Sequence, residues 1–469
     1  MSLRLSPIEL LEYLRGSFVP EDKRRVGLEW EKELVSSDGC RLPFDGEQGI
    51  ESLLRGLSQD FGWQQEHEKE RLIALSRDGE SITLEPGGQV EYATPPRRRL
   101  VDIEIDVRRH LGELQSITAD WDAHLLETGF TPIQDCEDIA VVPKDRYRIM
   151  DSYLRPRGKL AHEMMRGSTS VQVSFDYHSA QDCAQKLEAT LGLTPVVTAL
   201  LANSPLARGQ ANESLSYRTR CWQQTDPDRT GLLTLLRDGK YSFEAYLRWA
   251  LAVPMMFMYR EGQLVQANGL TFGQWMEEGA DGCWPAMSDF ELHLTSLFPE
   301  VRLKKYIELR GADNGSLGQI MATAALWKGL LYDRFALGDA RELEGELRAG
   351  QKSSDESLLD IALRDGLKGE FSGRSLQLWA AELVDIAAEG LMHQSPDGPA
   401  ELAYLAPLQE LVDTGLCPAE SVLNRWGEHK DPGQAIADLC YPPLSDIPAI
   451  SPEAGAFSPD LVGESAQKE

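Results

Sequence analysis

Two glutamates sit two residues apart in VGLEWEKELV, residues 26–35. Strand alternation puts Glu29 and Glu31 on one face with Glu33, and Leu28, Trp30 and Lys32 on the other. Glu85 and Glu91 flank the turn Pro86-Gly87-Gly88 in SITLEPGGQVEYAT, residues 81–94, with Gln89 and Glu91 in phase beyond it. A fifth carboxylate, Glu308, stands in YIELRG two positions before Arg310. Strand-borne carboxylates supply hard oxygen ligands, the kind Mg²⁺ takes at octahedral geometry while bridging to substrate phosphates. The chain has no GxxxxGK[ST] loop and no strand-borne GxGxxG, so any phosphate it handles would have to be met by metal ions. Taken singly, each of these glutamates also reads as an ordinary solvated carboxylate.

The elements that must position them are mixed helix and strand. Residues 7–16 read as a short helix with Pro at its start and Gly at its end. Residues 101–127 read as a helix with the stripe Val101, Ile105, Val107, Leu111, Leu114 and Ile117. TSVQVSFDY, 169–177, alternates as a strand, and AQKLEATLGLTPVVTALLANSP after it reads as a helix pair punctuated by Gly192 and Pro195. RLKKYIELRG, 302–311, reads as one strand, and Leu376, Trp379, Ala380, Leu383, Val384 and Ala387 form a core stripe. No linker interrupts residues 1–440, which predicts one composite domain, followed by a Pro-rich extended or disordered tail over 441–469.

With 75 acidic against 47 basic residues the net charge is −28, which argues against nucleic acid as a partner, because phosphate-backbone binders present basic stripes. An anionic substrate would need locally concentrated Arg, Lys or metal. The seven cysteines at 40, 136, 183, 221, 283, 417 and 440 contain no CxxC pair, which predicts free thiols in a reducing compartment. The N-terminus has no continuous apolar signal core, and no apolar run reaches the roughly 18 residues of a membrane span, so a cytoplasmic chain with no membrane partner is expected. The eight histidines show no HExxH spacing, so zinc is not expected. Cys221, beside Arg220, lacks the paired His motif of a thiol nucleophile.

In order and local context the acidic segments resemble the glutamate–cysteine ligase family of the plant and proteobacterial type. The resemblance runs through VGLEWEKE (26–33), ITLEPGGQVEYATPP (82–96), VPKDRYRIMDSYL (142–154), TSVQVSFDY (169–177) and TPVVTALLANSPLARG (194–209). It continues through LSYRTRCWQQTDPDRTG (215–231), FEAYLRWALAVPMMFMYREG (243–262) and FPEVRLKKYIELRGADNGSLG (298–318). It is strongest over residues 20–340, with a helical match over 341–440. It implies an α+β fold: a curved, mostly antiparallel sheet forming a cup, flanked by helices, of the glutamine synthetase-like kind.

The resemblance further implies an ATP-dependent ligase that phosphorylates the γ-carboxylate of glutamate and captures the acyl phosphate with cysteine, the first step toward glutathione. Glu29, Glu31, Glu85, Glu91 and Glu308 would hold two or three Mg²⁺, with Gln89 beside the nucleotide. Arg310 would meet the transferring phosphoryl group, and Lys32 would add positive charge to the catalytic set. Arg146 in KDRY and Arg218 in SYRTRCW would bind substrate, a planar guanidinium being suited to the α-carboxylate. Ser174, Met256 and Trp222 would also border the substrates. Arg229 is either a further cation or a turn residue paired with Asp226 or Asp228.

The chain departs from the family pattern with Trp30 in place of His, Ser174 in place of Asn, and Ala252 and Met256 in place of the Asp and Tyr of ALDVPMYF. A Met in place of a phenol makes a site less polar and more adaptable. That keeps a second reading open, the same ligase chemistry with another amino-acid or amine acceptor, beside a third, a non-catalytic relative that binds glutamate or nucleotide. Ala267 stands where the plant enzymes carry a redox cysteine, so no thiol switch is expected. The partners expected are glutamate, ATP and the acceptor, for a monomer or homodimer.

Overall fold

Ser6 and Glu9 form a capping box around Pro7 and start helix α1 (Pro7–Arg15). The chain then enters β1 (Val26–Lys32), passes through α2 (Ile50–Phe61), and runs up and down through β2 (Gln64–Glu68), β3 (Arg71–Arg77), β4 (Glu80–Leu84) and β5 (Val90–Ala93). Next come α3 (Leu100–Ile117), α4 (Asp145–Leu154), α5 (Ala161–Gly167), β6 (Ser170–Phe175), α6 (Ala180–Leu201), α7 (Tyr217–Gln223) and α8 (Phe243–Ala252). The hairpin β7 (Val301–Leu303) and β8 (Ile307–Asp313) follows, then α9 (Leu317–Tyr332), α10 (Arg334–Gly350) and α11 (Leu376–His393). This computed structural model describes residues 4–233, 241–280, 282–351, 356–394, 396–428 and 432–455.

The eight strands form one antiparallel sheet in the order β7-β8-β6-β1-β5-β4-β3-β2. Alternation in β1 sorts its side chains as the sequence predicts. Leu28 and Trp30 are buried on the face against α3 and α9, where Tyr92 of β5 and Val171 and Val173 of β6 join them. Glu29 and Glu31 take the other face. Register places Glu31 opposite Glu91, Glu91 opposite Thr83, and Glu29 opposite Gln172. Directly opposed like charges destabilise a sheet by roughly 0.2–1 kcal/mol. Losing a buried Trp such as Trp30 would cost about 3–5 kcal/mol, so packing on the apolar face holds the register against the repulsion.

Three expectations are corrected. Residues 184–201 belong to one continuous helix, not a pair: Pro195 lies inside α6 with its side chain buried in the core, and Gly192 is the point where α10 comes closest. A Cβ there would stand 2.1 Å from Glu344 Cγ, so the glycine is a packing requirement rather than a break. Residues 302–311 form a tight hairpin rather than one strand. The helix expected over 101–127 ends at Ile117, where Thr118 Oγ1 turns back and donates to the Leu114 carbonyl at 2.9 Å.

The tail, read as extended or disordered over 441–469, is described as far as residue 455. Residues 441–455 are packed along α3: Gln115 Nε2 donates to the Pro442 carbonyl at 2.8 Å, Arg108 to the Ile447 carbonyl at 3.0 Å, and Glu104 accepts from the Ile450 amide at 2.8 Å. Residues 456–469 lie outside the described residues. The stripe on α11 is buried as expected, all seven cysteines are free thiols, and no helix among the described residues is long and apolar enough to cross a membrane.

Candidate active site

The acidic face of the sheet is covered by α4, α5 and α7, and the space between is a cavity of about 340 Å³. Glu29, Glu31, Glu85 and Glu91 line it from the sheet, and Lys144, Arg146, Arg302, Lys304 and Arg310 line it with opposite charge. Five cations facing four carboxylates in one cavity make a site for an anion together with whatever neutralises the acids.

The carboxylates are loaded beyond what an ordinary surface tolerates. Burial, reinforced by Glu308 and Glu91, pushes Glu29 up to about 8. Burial, reinforced by Glu85 and Glu91, does the same to Glu31, also to about 8. Glu85 rises to about 7 by burial and the charge of Glu91. Each therefore holds a proton near neutrality unless another cation replaces it. Among the described residues no group of three or more Asp, Glu, His or Cys side chains could by itself hold a metal ion. The donors therefore fit ions held by one or two carboxylates and completed by water and substrate oxygens, the way Mg²⁺ binds beside phosphates.

Neutral and cationic side chains are fixed around the acids. Glu31 Oε1 accepts from Gln172 Nε2 at 2.8 Å and Oε2 from Ser170 Oγ at 3.0 Å. Thr83 Oγ1 donates to Glu91 at 2.8 Å. Arg310 donates to Gln172 Oε1, and its guanidinium lies 5.5 Å from the Trp222 ring. Alternation from Glu308 puts Arg310 on the cavity side, and a bulge in β8 between Leu309 and Ala312 then turns Ala312 to the apolar face opposite Val171. Arg146 Nη2 donates to the Thr295 carbonyl at 2.8 Å, which fixes the start of α4 over the cavity. Met150, Met164 and Met165 form a soft apolar wall opposite the charges.

Of the residues expected from the sequence, Glu29, Glu31, Glu85, Glu91, Gln89, Arg146, Trp222 and Arg310 are brought together at the cavity. Glu308 is completely buried beside the wall rather than in it. The hairpin pairs it with Arg302, whose Nη2 donates to Oε1 at 2.9 Å, with Lys304 Nζ 3.5 Å away. Burial opposes its ionisation, but Arg302, Lys304 and Arg310 outweigh burial and hold it well below the usual carboxylate range.

Six expectations need correction. Lys32 faces away from the acids: its ammonium donates to the Trp30 carbonyl at 2.8 Å and lies 4.0 Å over the indole, and burial pulls its pKa well below normal. Glu33, in phase with Glu29 and Glu31, falls after β1 ends and is bound by Arg41, Nε to Oε1 at 3.1 Å. Arg218 lies behind Arg310, donating to its carbonyl at 2.5 Å, and is not on the wall. Ser174 shares the acidic face opposite Glu308 but stands outside the lining, and Met256 is fully buried core following α8. The Met256 departure therefore does not reach the cavity. Gln89 is at the wall with its amide committed: Oε1 accepts from Gly87 N at 2.9 Å and Nε2 donates to Ser168 O at 2.9 Å, so it braces the turn. Arg229 is the turn residue, bound to Asp226 at 2.7 Å.

Sequence reading missed Gln172, Lys144, Arg302 and Lys304. Gln172 alternates with Ser174 in SVQVSF, and Lys144 starts the same helix as Arg146, so both were within reach of pattern. Arg302 and Lys304 share a face with Glu308 by alternation, but their direct pairing with it follows only from the hairpin.

Residues 25–440 match the family described as "Glutamate-cysteine ligase family 2(GCS2)". The chloroplastic glutamate–cysteine ligase of Nicotiana tabacum is 36% identical over 444 residues, 93% of this chain and 83% of that protein. Its counterpart in Arabidopsis thaliana is 36% identical over 440 residues, covering 92% and 82%. The crystal structure of glutamate–cysteine ligase (gshA) from Francisella tularensis in complex with AMP superposes with a TM-score of 0.56 at 14% identity, covering 95% of each chain, a likeness of fold.

Proposed function

The chain belongs to glutamate-cysteine ligase family 2, and from that premise we propose that its cavity joins the γ-carboxylate of glutamate to the amino group of cysteine, converting ATP to ADP and phosphate. A γ-carboxylate oxygen attacks the terminal phosphorus, and the bond to the bridging oxygen breaks with ADP as leaving group. The cysteine amine then attacks the acyl carbon, phosphate departs with the transferred oxygen, and the amine gives up a proton to form γ-glutamylcysteine. Mg²⁺, when bound, neutralises the triphosphate and the developing charge.

This chain's residues supply position and charge. Glu29, Glu31, Glu85 and Glu91 hold the divalent ions. Arg310, held by Gln172, stabilises the transferring phosphoryl group, and Arg302 and Lys304 add positive charge beside it. Arg146, already fixed by Thr295, takes the α-carboxylate of glutamate with its remaining donors. The methionine wall, with Trp222, receives the acceptor side chain, a sulfur-tolerant surface for cysteine.

The observation that carries this reading is the meeting of four glutamates, three of them (Glu29, Glu31 and Glu85) with carboxyls pushed up by burial, with five cations in one cavity. Cysteine-dependent ADP release tests it. Glu31→Gln and Arg310→Ala each lower it severely, and full activity in either removes the assigned role.

The eight-stranded sheet is read as the curved, glutamine synthetase-like cup, supported by an all-antiparallel order with helices on one face and the cavity on the other. The assembly is read as a monomer or homodimer. Seven free thiols favour a reducing compartment such as the cytoplasm, whereas the plant relatives are named chloroplastic.

A further inference from the structure

We propose that Tyr441, brought in by the C-terminal segment, is a positioning residue for the two strands that carry the acids and Arg310. Trp30 lies between Glu29 and Glu31 on β1 and points away from the cavity. Its Nε1 donates to Asn314 Oδ1 at 2.9 Å. Asn314 directly follows β8, four residues after Arg310, and β6 lies between the two strands, with Val171 facing Trp30 on one side and Ala312 on the other. The indole therefore ties β1 to β8 across an intervening strand.

Tyr441 completes this link. Its hydroxyl lies 3.1 Å from Asn314 Oδ1 and also donates to the Gly315 carbonyl. Its ring meets the Trp30 indole edge-on, with centroids 5.4 Å apart at 77°. Asn314 Nδ2 donates to the Leu126 carbonyl at 3.0 Å, so the amide has one orientation that satisfies all its partners. Trp30, Asn314 and Tyr441 are all buried. Nothing in this set touches the cavity, yet it fixes the backbone from which Glu29 and Glu31 project relative to the backbone that carries Arg310. Ligation of an ion by one or two carboxylates and in-line transfer both depend on that separation.

The inference rests on the metal reading above, and Mn²⁺ binding to the full chain without substrates, followed by electron paramagnetic resonance, separates the two. Tyr441→Phe removes only a hydroxyl and keeps the ring contact. It is expected to weaken Mn²⁺ binding and to lower kcat by roughly fivefold each, the worth of one buried hydrogen bond, with the KM for glutamate unchanged. Gln115→Leu loosens the same segment at Pro442 and Leu444 without touching Trp30 or Asn314, and is expected to keep Mn²⁺ affinity while lowering the melting temperature. Wild-type Mn²⁺ affinity in Tyr441→Phe, or an equal loss in Gln115→Leu, overturns the positioning role. No Mn²⁺ binding by the unsubstituted protein overturns the metal reading and this inference with it.

Discussion

Gln172 Nε2 donates to Glu31 Oε1 across 2.8 Å, while the oxygen of the same amide accepts from Arg310. One neutral side chain thus holds a metal-ligand candidate and the phosphoryl-facing arginine in fixed relation. Gln172→Leu leaves both charged partners short of a buried hydrogen bond. The expected result is a fall in kcat of about tenfold or more, since an unmet buried polar group costs about 1–3 kcal/mol. Steady-state kinetics check it, and a kcat equal to the unsubstituted enzyme would contradict the relation.

Arg302 and Glu308 are a buried pair in register across the hairpin. Arg302→Met leaves the Glu308 carboxylate buried with only Lys304 and the more distant Arg310 as counter-charges. Breaking a buried pair by removing one partner costs about 3–5 kcal/mol, and that loss is expected in urea unfolding of the metal-free protein. Added Mg²⁺ should restore part of it. A variant as stable as the parent would show that the pair is not the counterweight it is taken to be.

Glu29 and Glu31 titrate at about 8 and Glu85 at about 7 in the folded chain, against an ordinary 4.5. Through that window the folded state binds more protons than the unfolded one. Stability of the metal-free protein therefore falls as pH rises from about 5 to about 8. Divalent ions compete with those protons, so Mg²⁺ should raise the melting temperature more at about pH 8.5 than at about pH 6. Melting curves with chelator and with Mg²⁺ decide it; metal-free stability that climbs across this range would refute the assignment.

Arg146 keeps its charge in Arg146→Lys but loses the planar fork that matches a carboxylate. The KM for glutamate should rise by about tenfold with little change in kcat, the pattern of lost uniform binding. A fall in kcat at unchanged KM would move Arg146 from holding the substrate to the phosphoryl transfer itself.

The parts of this site that depend on local periodicity were legible. Alternation in VGLEWEKE separates Glu29 and Glu31 from Trp30, and the PGG turn returns Glu91 to the same face. What depends on the chain's return to itself was not. Glu33 keeps the alternation but follows the end of β1, and its fate is set by Arg41. The hairpin hides inside RLKKYIELRG because Arg302 and Glu308 meet only when Lys304–Tyr306 turn, and no propensity announces the bulge that sends Ala312 to the apolar face after Arg310. Prolines after Cys440 suggested an extended or disordered tail, but not that α3, distant in sequence, holds residues 441–455 by hydrogen bonds. Gly192 and Pro195 looked like breaks for the same reason: their cause, the approach of α10 and burial in the core, lies in tertiary contact.

The central claim is that the cavity activates the γ-carboxylate by phosphorylation before the amine attacks. Glutamate labelled with oxygen-18 in the γ-carboxylate tests this directly, by mass analysis of the phosphate released during cysteine-dependent turnover. The account predicts one labelled oxygen in each phosphate released. Phosphate carrying no label, formed while γ-glutamylcysteine accumulates, would contradict it.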